Sequence, residues 1–420
     1  MFNAVRTWLK LGQWPAFARG MLAYGSAEAA TRIVRLGSIL IVARQISPEL
    51  LGTAALALSL FELVRVLTSV GIGQRIIVAT EQELQAICNK ALKLFWTVCL
   101  GVMGIQLVAS ALAWTIYPDG DVAAMLAVLS AVYLFMPAGL VQIFLAMRAQ
   151  RMAATARVAA LQNIADAALT VALVLVWPSA WAIVLPKLLT APIWLIGARK
   201  TYSWVPNKRV AAAPASEFAD FGPAVLGSEL LAAARINGDK LLVGAILGTE
   251  ALGLYYFAFN AGLGITQSFV AACNLVLFPH LAKSNAGKID AKFRASFGFG
   301  ILVLLPVVLA QAVLAPLYVP IVFGASWIEA VPYLALLSVA ALPLYAGAML
   351  GARYRALKQP IAETGLMAAA TLAALIGLSV GAQLSLATAC VGFGAGLSIV
   401  LIPAAAFQLL ASTKPTAATI

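Results

Sequence analysis

The 420 residues are 63% hydrophobic and only 10% charged, with a mean hydropathy of +0.96. Soluble domains are nearer half apolar and a quarter charged, so one water-soluble core is excluded. The formal net charge of +12 reads, in so apolar a chain, as the bias of Lys and Arg toward cytoplasmic connections, and no nucleic-acid partner is expected.

In chain order, residues 1–20 place Trp8, Leu9, Trp14 and Phe17 among Arg6, Lys10 and Arg19. They lack the continuous apolar run of a signal peptide and predict an amphipathic segment lying in the headgroup region. About twelve apolar stretches of membrane-crossing length follow. They lie near 20–44, 50–78, 90–116, 122–147, 154–177, 179–198, 218–247, 250–279, 294–317, 328–350, 359–380 and 385–410. The expected fold class is an all-α integral membrane protein. Its first six-helix half spans 20–200, a Lys/Arg/Pro-rich linker 200–216, a second six-helix half 217–411 and a tail 412–420. Prolines inside spans, such as Pro137, Pro186, Pro306 and Pro403, are expected as static kinks. The cysteines Cys88, Cys99, Cys273 and Cys390 have no CxxC spacing, and the single His280 stands in a polar turn. Neither a metal site nor a histidine-centred catalytic group is expected.

The even-numbered connections carry Lys90, Arg148, Arg151, Arg199, Lys200, Lys208, Arg209, Lys283, Lys288, Lys292, Arg353, Arg355 and Lys358. The odd-numbered ones carry Arg44 and otherwise Glu49, Asp119, Asp121, Glu250 and Glu329. This asymmetry predicts that both termini are cytoplasmic.

Ionisable residues also stand near the middle of the spans, where a charge costs a few kcal/mol and marks a bundle interior or a watery pathway. Bases are Arg32, Arg35, Arg65, Lys187, Arg235 and Lys240; acids are Glu28, Glu62, Asp166, Glu229 and Asp239. The excess is one positive charge. Glu28, Arg32 and Arg35 share a helix face, as do Glu62 with Arg65 and Arg235 with Asp239, at helical spacing. They read either as internal ion pairs or as a cavity in which Arg32, Arg35, Arg65, Arg235 and Lys240 bind a phosphate through charge-assisted donors. Glu28, Glu62, Asp166, Glu229 and Asp239 are candidates to carry a coupling proton or to line the cavity, and sodium is equally allowed. Lys187 either snorkels or pairs with Asp166. No cofactor is expected.

The halves repeat. A shift of 201 places Glu28 on Glu229, Gly37 on Gly238, and the turn Ser47-Pro48-Glu49-Leu50-Leu51-Gly52 on Gly248-Thr249-Glu250-Ala251-Leu252-Gly253. Six spans per half make this a parallel repeat about an axis along the membrane normal, with a site between the halves.

The segment Val42 to Gly52 followed by Gly71-Ile72-Gly73 resembles the first helical hairpin of Wzx-type polysaccharide flippases. In the second half, Asp239 to Gly244, Leu247 to Tyr255 and Phe278-Pro279 are similar to the most recognisable segment of the same family. The resemblance implies two six-helix bundles in a V around a central cavity. It also implies alternating access and a substrate of undecaprenyl-pyrophosphate-linked oligosaccharide, moved to the periplasmic leaflet of a bacterial inner membrane. A polysaccharide polymerase is an implied partner, and no bond is made or broken. The drug-extruding branch shares the fold, so a cation antiporter is the alternative. A membrane-embedded glycosyltransferase or polymerase is a weaker one, because the external connections are too short to carry a catalytic domain.

Overall fold

The computed structural model describes residues 37–116, 120–218, 222–264, 266–267, 269–270, 281 and 286–411. The expected N-terminal segment and tail, Glu28, Arg32, Arg35, Cys273 and His280 lie outside these residues. The chain is all-helical among the described residues. Among the described residues nine helices are long and apolar enough to cross a membrane, or ten when the bent pair Asp121–Leu134 and Pro137–Arg148 counts as one span. One of the nine, Val225–Leu263, covers two expected spans, because Gly248 (φ +87) turns the backbone in its middle.

The first half holds α1 (residues 37–45), α2 (Pro48–Arg65), α3 (Ile72–Val78), α4 (Leu84–Ile116), α5 (Asp121–Ser130), α6 (Pro137–Arg148), α7 (Met152–Val176), α8 (Ala180–Leu189) and α9 (Ala191–Thr201). The second half holds α10 (Gly222–Ala258), a π-helical segment Phe259–Leu263, α11 (Ala286–Val322), α12 (Val331–Val339), α13 (Ala341–Ala356), α14 (Pro360–Ala382) and α15 (Leu386–Ala411). Local chemistry sets the boundaries. Ser47 Oγ accepts from Leu50 N–H, Pro48 takes the first helical position and Glu49 the first turn, which together open α2. Pro137 bends α5–α6 by 56°.

The basic connections gather at one end of the molecule, here the near end, and the turns at 46–47, 248 and 324 lie at the far end. Two features carry the internal repeat into the backbone. At the near end, the turns after α6 and α13 are built alike. Ala149, Gln150 and Arg151 donate N–H to the carbonyls of Leu145, Met147 and Ala146, and Leu357, Lys358 and Gln359 donate to Arg353, Arg355 and Tyr354. Gln150 (φ +57) and Lys358 (φ +58) take the left-handed position in each.

At the far end the two matched turns touch. A methyl group built on Gly52 would lie 1.7 Å from the Thr249 carbonyl oxygen, and one on Gly253 would lie 1.7 Å from that of Pro48. Gly52 with Gly253, and Pro48 with Thr249, are the pairs matched by the shift of 201, so the contact is two-fold about the repeat axis. Only glycine lets the backbones of α2 and α10 meet so closely. Beside it, Trp327 Nε1 donates to Ala43 O at 2.6 Å. Arg44 donates to the last carbonyls of α11, Ile321 and Val322, at 2.9 and 2.8 Å. These groups otherwise lack intrahelical partners.

The linker region is docked on the first half. Asn89, buried, donates to Asn207 O (2.8 Å) and Val210 O (3.0 Å) and accepts from Asn207 N–H (3.2 Å). Trp204 donates to Gln85 Oε1 at 3.1 Å. Phe218 is buried in an apolar cluster with Ile72, Ile76, Ile87 and Phe95. Arg75 bridges Glu217 (2.7 Å) and Glu83 (3.2 Å). The hydrogen bond from Arg75 is the main reason the Glu83 carboxyl is held down at about 2.

Candidate functional site

Between the halves lies a cavity of about 830 Å³. One wall is built by α1, α2, α7 and α8, the other by α10, the π-helical segment, α13, α14 and α15. At the inner apex of the cavity a smaller recess of about 110 Å³ runs past Tyr256, Phe257 and Asn260. The far-end backbone contact seals the molecule beyond that apex. At the other end the lining reaches Arg355 and Glu363, beside the basic connections.

The predicted residues distribute unequally. Glu62, Asp166, Lys187, Arg235 and Lys240 line the cavity. Arg65 is not among the lining residues; it donates through Nε to Glu62 at 2.9 Å, as the three-residue spacing predicts. Glu229 is exposed but lies outside the lining. It precedes Arg235 by six residues, which turns it to a different helix face.

Asp239 does not pair with Arg235. Its carboxylate, 1% exposed, accepts from Tyr255 OH at 2.9 Å and from Lys240 Nζ at 3.1 and 3.3 Å. Lys240 also donates to Ile236 O at 2.6 Å and sets its ammonium 4.1 Å from the centre of the Phe259 ring. Its donor capacity is consumed within the wall. This cluster is a buried, internally neutralised brace, and Lys240 reaches the cavity only as its edge.

Asp166 Oδ2 accepts from Lys187 Nζ at 3.1 Å across α7 and α8. Its Oδ1 is buried with no hydrogen-bond partner among the described residues. Arg235 is exposed to the cavity. No carboxylate pairs with it among the described residues, whereas Lys187 and Lys240 each have one.

The sequence reading missed one lining pair, Arg355 with Glu363. Both stand at the near-end margin, where Arg355 passes as an ordinary cytoplasmic base. The available signal was the glycine spacing before it. Gly347, Gly351 and Arg355 recur every four residues on α13, a stripe thin enough for α14 to bring Glu363 alongside. With this pair included, the described lining holds four cations (Lys187, Arg235, Lys240, Arg355) and three carboxylates (Glu62, Asp166, Glu363).

The helical spans, two-fold backbone contact and inter-half cavity define a multi-pass membrane protein of two packed helical halves. Solved structures bear out that class. The chain matches an inward-facing multidrug resistance MATE family transporter of the MOP superfamily with TM-score 0.70, at 14% identity over 92% of this chain and 96% of that one. It matches lipid II flippase MurJ in an inward closed conformation with TM-score 0.76, at 11% identity over 94% and 88%. An outward-facing MATE structure matches with TM-score 0.54, at 15% identity over 93% and 94%. These likenesses establish the two-bundle fold.

The chain belongs to the family described as polysaccharide biosynthesis protein, which it matches over residues 41–332. It is 26% identical over 333 residues to the lipopolysaccharide biosynthesis protein WzxC of Escherichia coli (strain K12), covering 76% of this chain and 65% of the relative. It is 29% identical over 125 residues to the teichuronic acid biosynthesis protein TuaB of Bacillus subtilis (strain 168), covering 29% and 26%. The chain thus spans less than two thirds of the length of the curated relatives it matches.

Proposed function

We propose that this protein is a flippase that moves a pyrophosphate-linked oligosaccharide on a lipid carrier from the cytoplasmic to the opposite leaflet of a bacterial inner membrane, for surface polysaccharide assembly. The observation that carries the reading is Arg235, an arginine at mid-depth of an inter-half cavity with no carboxylate partner among the described residues. A guanidinium open to the cavity in this way suits an anionic phosphate through paired charge-assisted donors. The sugar occupies the hydrated cavity and the lipid tail stays in the bilayer. Both termini are cytoplasmic, by the distribution of basic connections. The family and the named relatives support the substrate class. The multidrug antiporter reading shares the fold, but a cationic drug would meet a described lining with one more cation than carboxylates. Transport draws on a proton or sodium gradient through Asp166, one of the three described carboxylates lining the cavity, and a polysaccharide polymerase receives the product.

The test is Arg235→Ala in a cell that needs the polymer, with Arg235→Lys beside it. Loss of one charged hydrogen-bonding group predicts roughly a tenfold fall in surface polymer at unchanged protein level, with partial recovery in the lysine variant. Full polymer in the alanine variant refutes the assigned role. Purified protein in vesicles that fails to move a pyrophosphate-linked oligosaccharide lipid refutes the function.

A further inference from the structure

We propose that the Arg355–Glu363 pair is a displaceable anion subsite at the near-end margin of the cavity, where a phosphate group is first taken up before it reaches Arg235. The inference rests on the flippase reading and adds to it a loading station that neither the family nor the named relatives identify.

Arg353 and Arg355 are two residues apart on α13 and so leave the helix on different faces. Arg353 is 11% exposed. It donates through Nε and Nη2 to Asp290 at 3.2 and 2.8 Å and stands 5.7 Å from the Phe293 ring, which fixes it against α11. Arg355 turns the other way, into the cavity, and is 37% exposed while its partner Glu363 is 20% exposed. The arginine side of the pair is open to water while Glu363 is largely covered, so the pair is weaker than a fully buried one. It contrasts with Asp239–Lys240 behind the wall, which cannot open without stranding a charge.

The site is also shaped. A methyl group on Gly351 would stand 2.7 Å from Glu363 Oε1, so the missing side chain is what admits the carboxylate. Glu363 occupies the first turn of α14, where the helix dipole favours negative charge. That potential remains when the carboxylate swings away, and it then acts on whatever anion replaces it. Lys358, exposed in the intervening turn, adds a further positive charge.

Register relates the two stations. Gly238 of α10 packs against Leu375 of α14, and the two helices run in the same direction. Arg235 therefore lies level with residue 372, nine residues beyond Glu363, or about 13 Å along the axis at 1.5 Å per residue. Two extended arginines can span much of that gap, so a diphosphate can be touched by the second before it leaves the first. Glu363 competes with the incoming phosphate and is recovered as partner once the phosphate has passed, which keeps Arg355 from becoming a trap.

The experiment uses the full chain in nanodiscs of phosphatidylcholine, with inorganic pyrophosphate as probe and binding read by calorimetry. Glu363→Gln removes the competitor and is expected to tighten pyrophosphate binding about three- to fivefold, the scale of a partly exposed ion pair. Arg355→Gln is expected to weaken it, and Arg353→Gln to leave it unchanged where the protein folds. Unchanged affinity in Glu363→Gln, or absence of pyrophosphate binding in the wild type, overturns the subsite. Repeating the titration with phosphatidylglycerol present separates the sources of phosphate. If anionic lipid abolishes the pyrophosphate signal, the site belongs to phospholipid headgroups and the loading role is overturned. Vesicle flipping assayed in parallel separates the two readings. Pyrophosphate binding that responds to Glu363→Gln without any flipping sinks the function and keeps the subsite; flipping with no such response sinks the subsite alone.

Discussion

Gly52→Ala tests the far-end contact directly. The new methyl carbon would lie 1.7 Å from Thr249 O and 2.7 Å from its carbonyl carbon. Both obstacles are backbone, so no rotamer change relieves them, and α2 and α10 must separate by well over an ångström at this point. Overpacking of this kind costs about 1–3 kcal/mol. The contact exists only where the far ends of the two halves meet, so the cost falls on that arrangement and not on one with the far end parted. A penalty of 1–3 kcal/mol converts to roughly a fivefold to hundredfold shift toward the far-open population. The assay is spin-label distances across the far end, between the turns at Ser47 and Gly248, in nanodiscs. Gly104→Ala on α4, where a methyl would meet nothing within 4 Å, is the control. Gly253→Ala should act alike through Pro48 O, and the double variant should cost less than the sum, since one separation relieves both clashes. Unchanged distance distributions and unchanged thermal stability in Gly52→Ala would refute the reasoning.

Other outcomes follow from the walls and the linker. Asp239→Asn leaves Lys240 buried without its counter-ion and should cost about 3–5 kcal/mol, read as a lowered melting temperature in detergent; Asp239→Asn with Lys240→Met should recover part of it. Asn89→Ala removes the hydrogen bonds to residues 207 and 210 and should cost roughly 2–3 kcal/mol, seen as faster protease nicking within residues 202–214. Acid should loosen the same segment. Glu83 ionises at about 2 in the folded protein against an ordinary 4.5, so its contribution is complete above 4.5 and is lost as the pH falls from there toward 2. Trp204 fluorescence should report release in that window, and a flat response down to pH 2 would contradict the linkage.

The spans and their pairing into halves were legible because apolar runs of crossing length and a matched turn are properties of local sequence. The turn Ser47 to Gly52 and its copy Gly248 to Gly253 were visible as a repeat, and the structure makes them each other's contact surface. Ion pairs were legible where both members lie on one helix a turn apart, as with Glu62 and Arg65, and the alternative of Lys187 pairing with Asp166 is the one the structure adopts. Spacing failed at Arg235 and Asp239, because Tyr255, sixteen residues on, draws the carboxylate into the wall. Arg355 was hidden by its position. A base at a helix end satisfies the charge-asymmetry rule whichever way it points, and only the packing of α13 on α14 turns it inward. The linker was hidden for a related reason: Asn89 holds backbone carbonyls, which every sequence supplies.

That docked segment changes where the chain should be divided. Residues 202–218 are fastened to the first half through Gln85, Asn89, Arg75 and the burial of Phe218. A fragment ending near residue 200 would uncover Ile72, Ile76 and Ile87 and give the other fragment an unanchored basic leader. Two separately expressed pieces should reassemble best when the cut falls after Phe218. In the intact chain only three residues separate Phe218 from the start of α10. A connection of that length limits how far α10 can move without pulling on Phe218 and the first half.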